Sequence, residues 1–217
     1  MAVILNFIKL PSTNFLIFYI PGFWENHVLN NLREALRPTL EKIGNGFAST
    51  GLSPNFWTVI GLLFAICSAA VYGLGIEYGL IIGGLLLLVS GFFDMVDGQV
   101  ARATGKISKK GGYLDSMFDK IAETAIFLGI LVGGYAEPYL VLLAITLSLL
   151  VSYARAKSDS LNIKLQGVGI GERAERLLVI AIIGIFGFME IAVIIVVIIA
   201  AITLIQRMIF TTKHIEE

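Results

Sequence analysis

The chain has 217 residues, 57% of them hydrophobic and 15% charged, with a formal net charge of zero. At a mean hydropathy of +0.86 it carries more apolar surface than a soluble domain of this size can hide, so the composition is that of a polytopic membrane protein. The balanced charge gives no sign of a nucleic-acid partner, and the single cysteine, Cys67 in an apolar run, excludes an intramolecular disulfide and reads as packing.

Residues 1–24 are apolar and aromatic but are interrupted by Lys9, Pro11 and Pro21. They read as an interfacial segment rather than a further span, and the first ten residues lack the basic start and cleavage site of a signal peptide. Next, Val28, Leu29, Leu32, Leu36, Leu40 and Ile43 recur at helical spacing, with Arg33, Glu34, Arg37, Glu41 and Lys42 between them. This predicts an amphipathic helix in the cytoplasmic interface, with Pro38 a point of bending. A helix packed on the soluble face of the protein would carry the same pattern.

Four apolar runs follow, at 56–74, 78–93, 113–135 and 139–154, each near the roughly 20 residues needed to cross a bilayer. A last stretch, 177–205, reads either as one long helix or as two broken at "FGFME". Loop charge favours two. The short loops holding Glu77, Glu137 and Glu190 then share a side without Lys or Arg, while Lys106, Lys109, Lys110, Arg155, Lys157, Lys164, Arg173, Arg176, Arg207 and Lys213 fall on the other. The positive-inside rule makes that second side cytoplasmic. The expected fold is all-α: residues 1–50 form an N-terminal interfacial segment and amphipathic helix, and residues 51–217 a domain of six transmembrane helices. Both termini lie on the cytoplasmic side of the cell membrane.

The second run continues as "DMVDGQVAR", which sets Asp94 and Asp97 at or near membrane depth. At about 100° per residue these two lie about 60° apart on one helix face, and Asp115 and Asp119, four apart, share a face at the start of the third run. A short basic loop joins the two ends, so the pairs can meet. Even one unpaired charge at this depth costs about 2.5 kcal/mol or more. A divalent cation resolves the conflict, because carboxylate oxygens suit Mg²⁺, Mn²⁺ or Ca²⁺, and four carboxylates suit one or two such ions. His27 and His214 lie outside the apolar runs and contribute nothing here. Gly98 and Ala101 leave a strip of the second helix bare, as Gly111 and Gly112 do before Asp115, so a flat ligand group could approach the backbone; close helix packing would use the same small residues.

Written out, the stretch is Asp94-x-x-Asp97-Gly98-x-x-Ala101-Arg102, eight residues, then Gly111-x-x-x-Asp115-x-x-x-Asp119. This resembles the full signature of the CDP-alcohol phosphotransferase family in residue type and spacing, and the likeness extends over roughly residues 50 to 210. The resemblance implies a reaction in which a CDP-linked lipid donates its phosphatidyl-type group to an alcohol and CMP leaves. It implies Asp94, Asp97 and Asp115 as ligands of Mg²⁺ or Mn²⁺, two ions in all, with Asp119 as general base and further metal contact. It assigns the CDP-lipid donor to Asp94, Gly98, Ala101, Arg102 and Gly111, with Ser108 or Thr104 as a phosphate or ribose contact. "SPNFWTVIG" resembles the family's Pro-Asn-x-x-Thr-x-x-Gly segment and adds Pro54, Asn55 and Thr58, although Ser53 and Pro54 are also an ordinary helix start.

"SYARA" and "GERAER" resemble the inositol-phosphate-accepting branch, the phosphatidylinositol phosphate and archaetidylinositol phosphate synthases. Arg155, Arg173 and Arg176 then become the grip on the phosphate of inositol 1-phosphate, since a guanidinium matches phosphate oxygens. Arg173 and Arg176 near a helix N-terminus oppose its dipole, which calls for an anionic partner; interleaved Glu172 and Glu175 could also pair with them. Likeness to archaeal members implies an archaetidyl donor, and family habit a homodimer, for which "FLGILVGGY" offers glycines that internal packing could equally use. The rival acceptors are glycerol 3-phosphate and serine. A cation transporter would spread its carboxylates along a pathway, whereas these gather at one end.

Overall fold

The computed structural model describes residues 6–9, 16–19, 27–165 and 167–215, with side chains from residue 38 onward. The rest of the expected interfacial segment, and the side chains of the amphipathic pattern before residue 38, lie outside the described residues. Ahead of the helices the structure adds an antiparallel pair, β1 (Asn6–Lys9) and β2 (Leu16–Tyr19), in the register Asn6↔Tyr19 to Lys9↔Leu16. Each segment holds one phenylalanine and one isoleucine, residues that favour extended backbone. The helical periodicity of the rest of the chain gave no sign of them.

The expected amphipathic helix is α1 (His27–Ala48), one helix through Pro38. Its C-terminal end packs on the protein: Gly44 is buried against Gln99, and the Phe47 ring meets Trp57 edge-on at 4.8 Å. Next come α2 (Pro54–Leu74) and α3 (Gly79–Ala103). The Ser53 side chain caps α2 by accepting from the Phe56 amide, with Pro54 in the first turn, and Gly75 ends it at φ 58. α3 runs without interruption through both Asp94 and Asp97. The motif stretch 94–102 is thereby carried on the same rigid rod as the apolar run.

α4 (Lys109–Val132) starts at Ser108, whose hydroxyl accepts from the Gly111 amide at 3.0 Å. α5 (Pro138–Ser160) follows, and the final apolar stretch divides into α6 (Arg173–Ile185) and α7 (Met189–His214). The break lies at 186–188, where Gly187 takes φ 86, a conformation open to glycine. The stretch is therefore two helices rather than one, the division that loop charge favoured.

Among the described residues four helices, α2, α3, α5 and α7, are long and apolar enough to cross a membrane. α6 has 13 residues, about 20 Å of helix against a hydrocarbon core of roughly 30 Å. α4 has the length but carries Asp115, Asp119, Lys120 and Glu123 within its first fifteen residues.

The core joins α2, α4, α6 and α7 through Tyr72, Phe127, Ile130, Ile180 and Val193, all fully buried. The outer surface is just as apolar: Leu63, Val132 and Leu142 are more than half exposed. That inversion suits lipid as the surrounding medium. Small residues let the helices close up, as expected where lipid offers no hydrophobic drive. A Cβ on Gly129 of α4 would collide with the Ala69 carbonyl of α2, and one on Gly84 of α3 with Ile185 of α6. Hydroxyls bridge α2 and α3, with Ser90 donating to the Gly61 carbonyl at 2.8 Å and Ser68 to that of Gly83 at 2.7 Å. Gly129 and Gly133 of "FLGILVGGY" both face α2 within the fold.

Candidate active site

The last turns of α3, the first turns of α4 and the N-terminus of α6 converge at one end of the bundle. Asp94, Asp115 and Asp119 each offer a carboxylate oxygen, and these oxygens lie within 4.8 Å of one another. Asp97 lies one turn along α3, 6% exposed, with its Oδ2 buried and lacking a hydrogen-bond partner. The expected quartet is thus three converging carboxylates and a fourth standing buried beside Thr58.

Such a donor set fits a divalent cation. Three hard oxygens already face one another, and an orphaned buried carboxylate oxygen costs free energy until something positive meets it. One cation of the chain does reach the cluster. Arg173 Nη1 donates to Asp94 Oδ1 at 3.0 Å and lies 2.6 Å from Asp119 Oδ1. Arg173 is the first residue of α6, where its charge opposes the helix dipole; the two carboxylates supply the compensating charge.

Beside the aspartates opens a cavity of about 420 Å³, within the range of small-molecule sites. Asp94, Asp115 and Asp119 line one part of it, and Lys120, Arg155 and Arg173 bring positive charge to the same space. Ser152, Asp159 and Glu172 add acceptors and hydroxyl groups to the wall. A cavity with clustered carboxylates on one wall and Lys120, Arg155 and Arg173 beside them can hold a metal-bound anion and a second anionic or polyhydroxy ligand together.

Arg176, expected to grip phosphate, is committed elsewhere. It is 1% exposed, its Nε and Nη2 donate to Glu123 Oε1 at 2.9 and 2.7 Å, and its Nη1 donates to the Gly171 carbonyl at 2.7 Å. All three nitrogens are engaged, so Arg155 and Arg173 are left as the arginines that can turn to a ligand. Arg207 is an anchor too: 2% exposed, it donates to the Val168 and Val151 carbonyls at 3.1 and 2.8 Å, fastening α7 to α5 and to the segment before α6.

The expected donor strip lies on the α2, α3 and α4 ends. Gly111 packs so closely that an added Cβ would sit 3.0 Å from Ser108 Oγ and 3.3 Å from Asn55 Oδ1. The family-like segment of α2 and the motif glycine of α4 therefore adjoin. Over Gly98 the Arg102 guanidinium folds back, 3.5 Å from where a Cβ would stand, and Arg102 Nε donates to Gln99. Thr58 donates to the Pro54 carbonyl at 3.2 Å, while Ala101 is half-buried and Thr104 donates to the Val100 carbonyl at 2.7 Å.

Sequence reasoning passed over Lys120, Glu123 and the anchoring role of Arg207. Glu123 could have been noticed, since it stands four residues after Asp119, on the same helix face. Nothing in the local sequence pairs Arg207 with carbonyls 39 and 56 residues away.

Comparison with known proteins agrees with this geometry. The archaetidylinositol phosphate synthase of Pyrococcus horikoshii is 36% identical over 189 residues, covering 87% of this chain and 99% of that protein. The protein of the same name from Methanothermobacter thermautotrophicus is 36% identical over 195 residues, covering 87% and 96%. In fold, the chain is similar to the crystal structure of Mycobacterium tuberculosis phosphatidylinositol phosphate synthase with CDP-DAG bound, at a TM-score of 0.69 and 23% identity, covering 79% of this chain and 92% of that one. The structure of the same enzyme with manganese and citrate gives 0.70, with 80% and 88% covered. A family model for CDP-alcohol phosphatidyltransferase matches residues 52–210, the stretch that contains both aspartate pairs and the cations around them, and the chain belongs to that family.

Proposed function

We propose that this chain moves the phosphatidyl-type group of a CDP-linked lipid, here an archaetidyl group, to a hydroxyl of inositol 1-phosphate, with release of CMP. The observation that carries this reading is the shared cavity: three carboxylates with oxygens within 4.8 Å of one another open onto the same space as Lys120, Arg155 and Arg173. The donor's diphosphate goes to the aspartates and the acceptor's phosphate to the cations. The two relatives named archaetidylinositol phosphate synthase support the acceptor and the archaetidyl donor.

Asp94, Asp97, Asp115 and Asp119 would hold Mg²⁺ or Mn²⁺, two ions in our reading. Divalent cations supply charge neutralisation of the diphosphate and of the departing CMP. Pro54, Asn55, Thr58, Gly98, Ala101, Arg102, Ser108 and Gly111 cradle the nucleotide end of the donor, with small residues leaving backbone accessible. Asp119 Oδ1 is engaged by Arg173, which leaves Oδ2 to take the proton of the acceptor hydroxyl. The hydroxyl oxygen forms the new bond to the lipid-bearing phosphorus; the bond from that phosphorus to the bridging oxygen breaks, and its electron pair leaves with CMP. Arg155 and Arg173 hold the acceptor phosphate, and Arg176 stands behind them.

We further read α4 and α6 as spans, giving six, with the site and both termini on the cytoplasmic side of the cell membrane. The one-sided Lys and Arg distribution supports that orientation. On the family ground we also propose a homodimer, which the mass of the protein in detergent tests. For the reaction, purified protein receives labelled CDP-archaeol, Mg²⁺ or Mn²⁺, and inositol 1-phosphate, glycerol 3-phosphate or serine in turn. CMP release with inositol 1-phosphate alone is the expected result. Release with serine or glycerol 3-phosphate instead would move the acceptor assignment, and no release with any alcohol would sink the enzyme reading.

A further inference from the structure

Asp119 and Glu123 lie four residues apart on α4, and Arg173 and Arg176 three apart on α6, so each pair shares a helix face. The faces meet as a ladder of two rungs, Asp119–Arg173 at 2.6 Å and Glu123–Arg176 at 2.7 Å. The rungs differ in kind. At the outer one both side chains line the cavity and are 16% and 21% exposed, whereas at the inner one Arg176 stands in the cavity wall but is only 1% exposed and Glu123 3%. The inner rung reaches further into the fold: Arg176 holds the Gly171 carbonyl, the Gly171 amide donates to Thr203 Oγ1 at 2.9 Å, and that hydroxyl donates to the Ile199 carbonyl. One buried pair thus fixes α4, the segment before α6 and α7 together, a single turn below Arg173.

Stability alone is a poor reason for this arrangement. A buried ion pair is often no better than an apolar pair of the same shape, and Glu123 Oε2 is buried without a hydrogen-bond partner. The outer rung shows what the inner one permits. If Asp119–Arg173 were the sole tie between the start of α6 and α4, Arg173 could not leave the aspartates without loosening the helix that carries it. With the inner rung in place, the base of Arg173 stays fixed while its guanidinium turns from carboxylate to a ligand in the cavity.

We propose that Glu123 and Arg176 are positioning residues for the acceptor, holding the first turn of α6 so that Arg173 can grip the acceptor's phosphate without α6 shifting. This rests on the reading above that the acceptor is a phosphorylated polyol. Both act through Arg173: Glu123 is outside the cavity lining, and Arg176, though in it, has all three nitrogens engaged within the fold. The test uses the full chain in lipid nanodiscs, as parent, as Glu123→Gln and as the double variant Glu123→Gln/Arg176→Met. The double variant removes both buried charges and serves where the single one, with Arg176 left unpaired, does not fold.

The KM for inositol 1-phosphate should rise about tenfold in the folded variants, since small displacements of a gripping group are costly to binding. The KM for CDP-archaeol should not move, and Mn²⁺ should still bind when followed by electron paramagnetic resonance. A merely structural pair would instead lower the melting temperature and the active fraction with both KM values unchanged. An acceptor KM within about twofold of the parent in a folded variant overturns the proposal, as does loss of Mn²⁺ binding along with it, which would mean that the whole site had collapsed. A parent that releases no CMP with inositol 1-phosphate would instead defeat the functional reading, so the two failures are distinguishable.

Discussion

Arg173 and a divalent cation held by the aspartates would draw on the same oxygens, which makes Arg173→Met a sharp perturbation. Arg173 Nη1 lies 3.0 Å from Asp94 Oδ1 and 2.6 Å from Asp119 Oδ1, and both carboxylates belong to the converging set. At an effective dielectric of about 20 each contact is worth about 5 to 6 kcal/mol before desolvation and screening. The side chains are 16%, 39% and 21% exposed, so water and desolvation reduce the net pairing to about 1 to 2 kcal/mol in total. Removing the guanidinium should then tighten Mn²⁺ binding by roughly 5- to 30-fold, at about 1.4 kcal/mol per factor of ten. Calorimetric titration of Mn²⁺ into parent and variant in nanodiscs measures this directly. The same variant should bind inositol 1-phosphate more weakly, so cation and acceptor affinities move in opposite directions. Unchanged or weaker Mn²⁺ binding would refute the idea that Arg173 and the cation compete.

Asp119→Asn should abolish CMP release while binding of the CDP-lipid is largely kept, as judged by equilibrium binding of labelled donor; activity equal to the parent would remove Asp119 as base. Asp97→Asn should weaken both donor binding and turnover, because the neutral amide gives up the charge of a buried carboxylate whose Oδ2 has no partner. Gly129→Ala drives a Cβ into the Ala69 carbonyl, backbone that can yield only if α2 moves. It should destabilise by about 1 to 3 kcal/mol in thermal unfolding. Gly46→Ala, with open space around it, should be neutral or slightly stabilising, and equal losses in the two would undo the argument from helix contact.

The aspartates were legible early because helix periodicity is a local property. Offsets of three and four residues set Asp94 with Asp97 and Asp115 with Asp119 before any tertiary contact is known. Loop charge likewise divided 177–205 into two helices, and the structure breaks there at Gly187. The arginines were harder. Residue type alone made Arg173 and Arg176 equivalent, yet Arg173 is 16% exposed at the cavity while Arg176, though in the same wall, is 1% exposed and spends all three nitrogens on Glu123 and the Gly171 carbonyl.

The placing of the apolar helices and the spacing of the motif carry their meaning within a turn or two of helix, and for these the chain itself was sufficient. Which three carboxylates converge, which arginine remains available to a ligand, and that the glycines of α4 serve α2 were decided by how the helices pack. Those contacts join residues dozens of positions apart, where burial and close approach rather than periodicity select the partner.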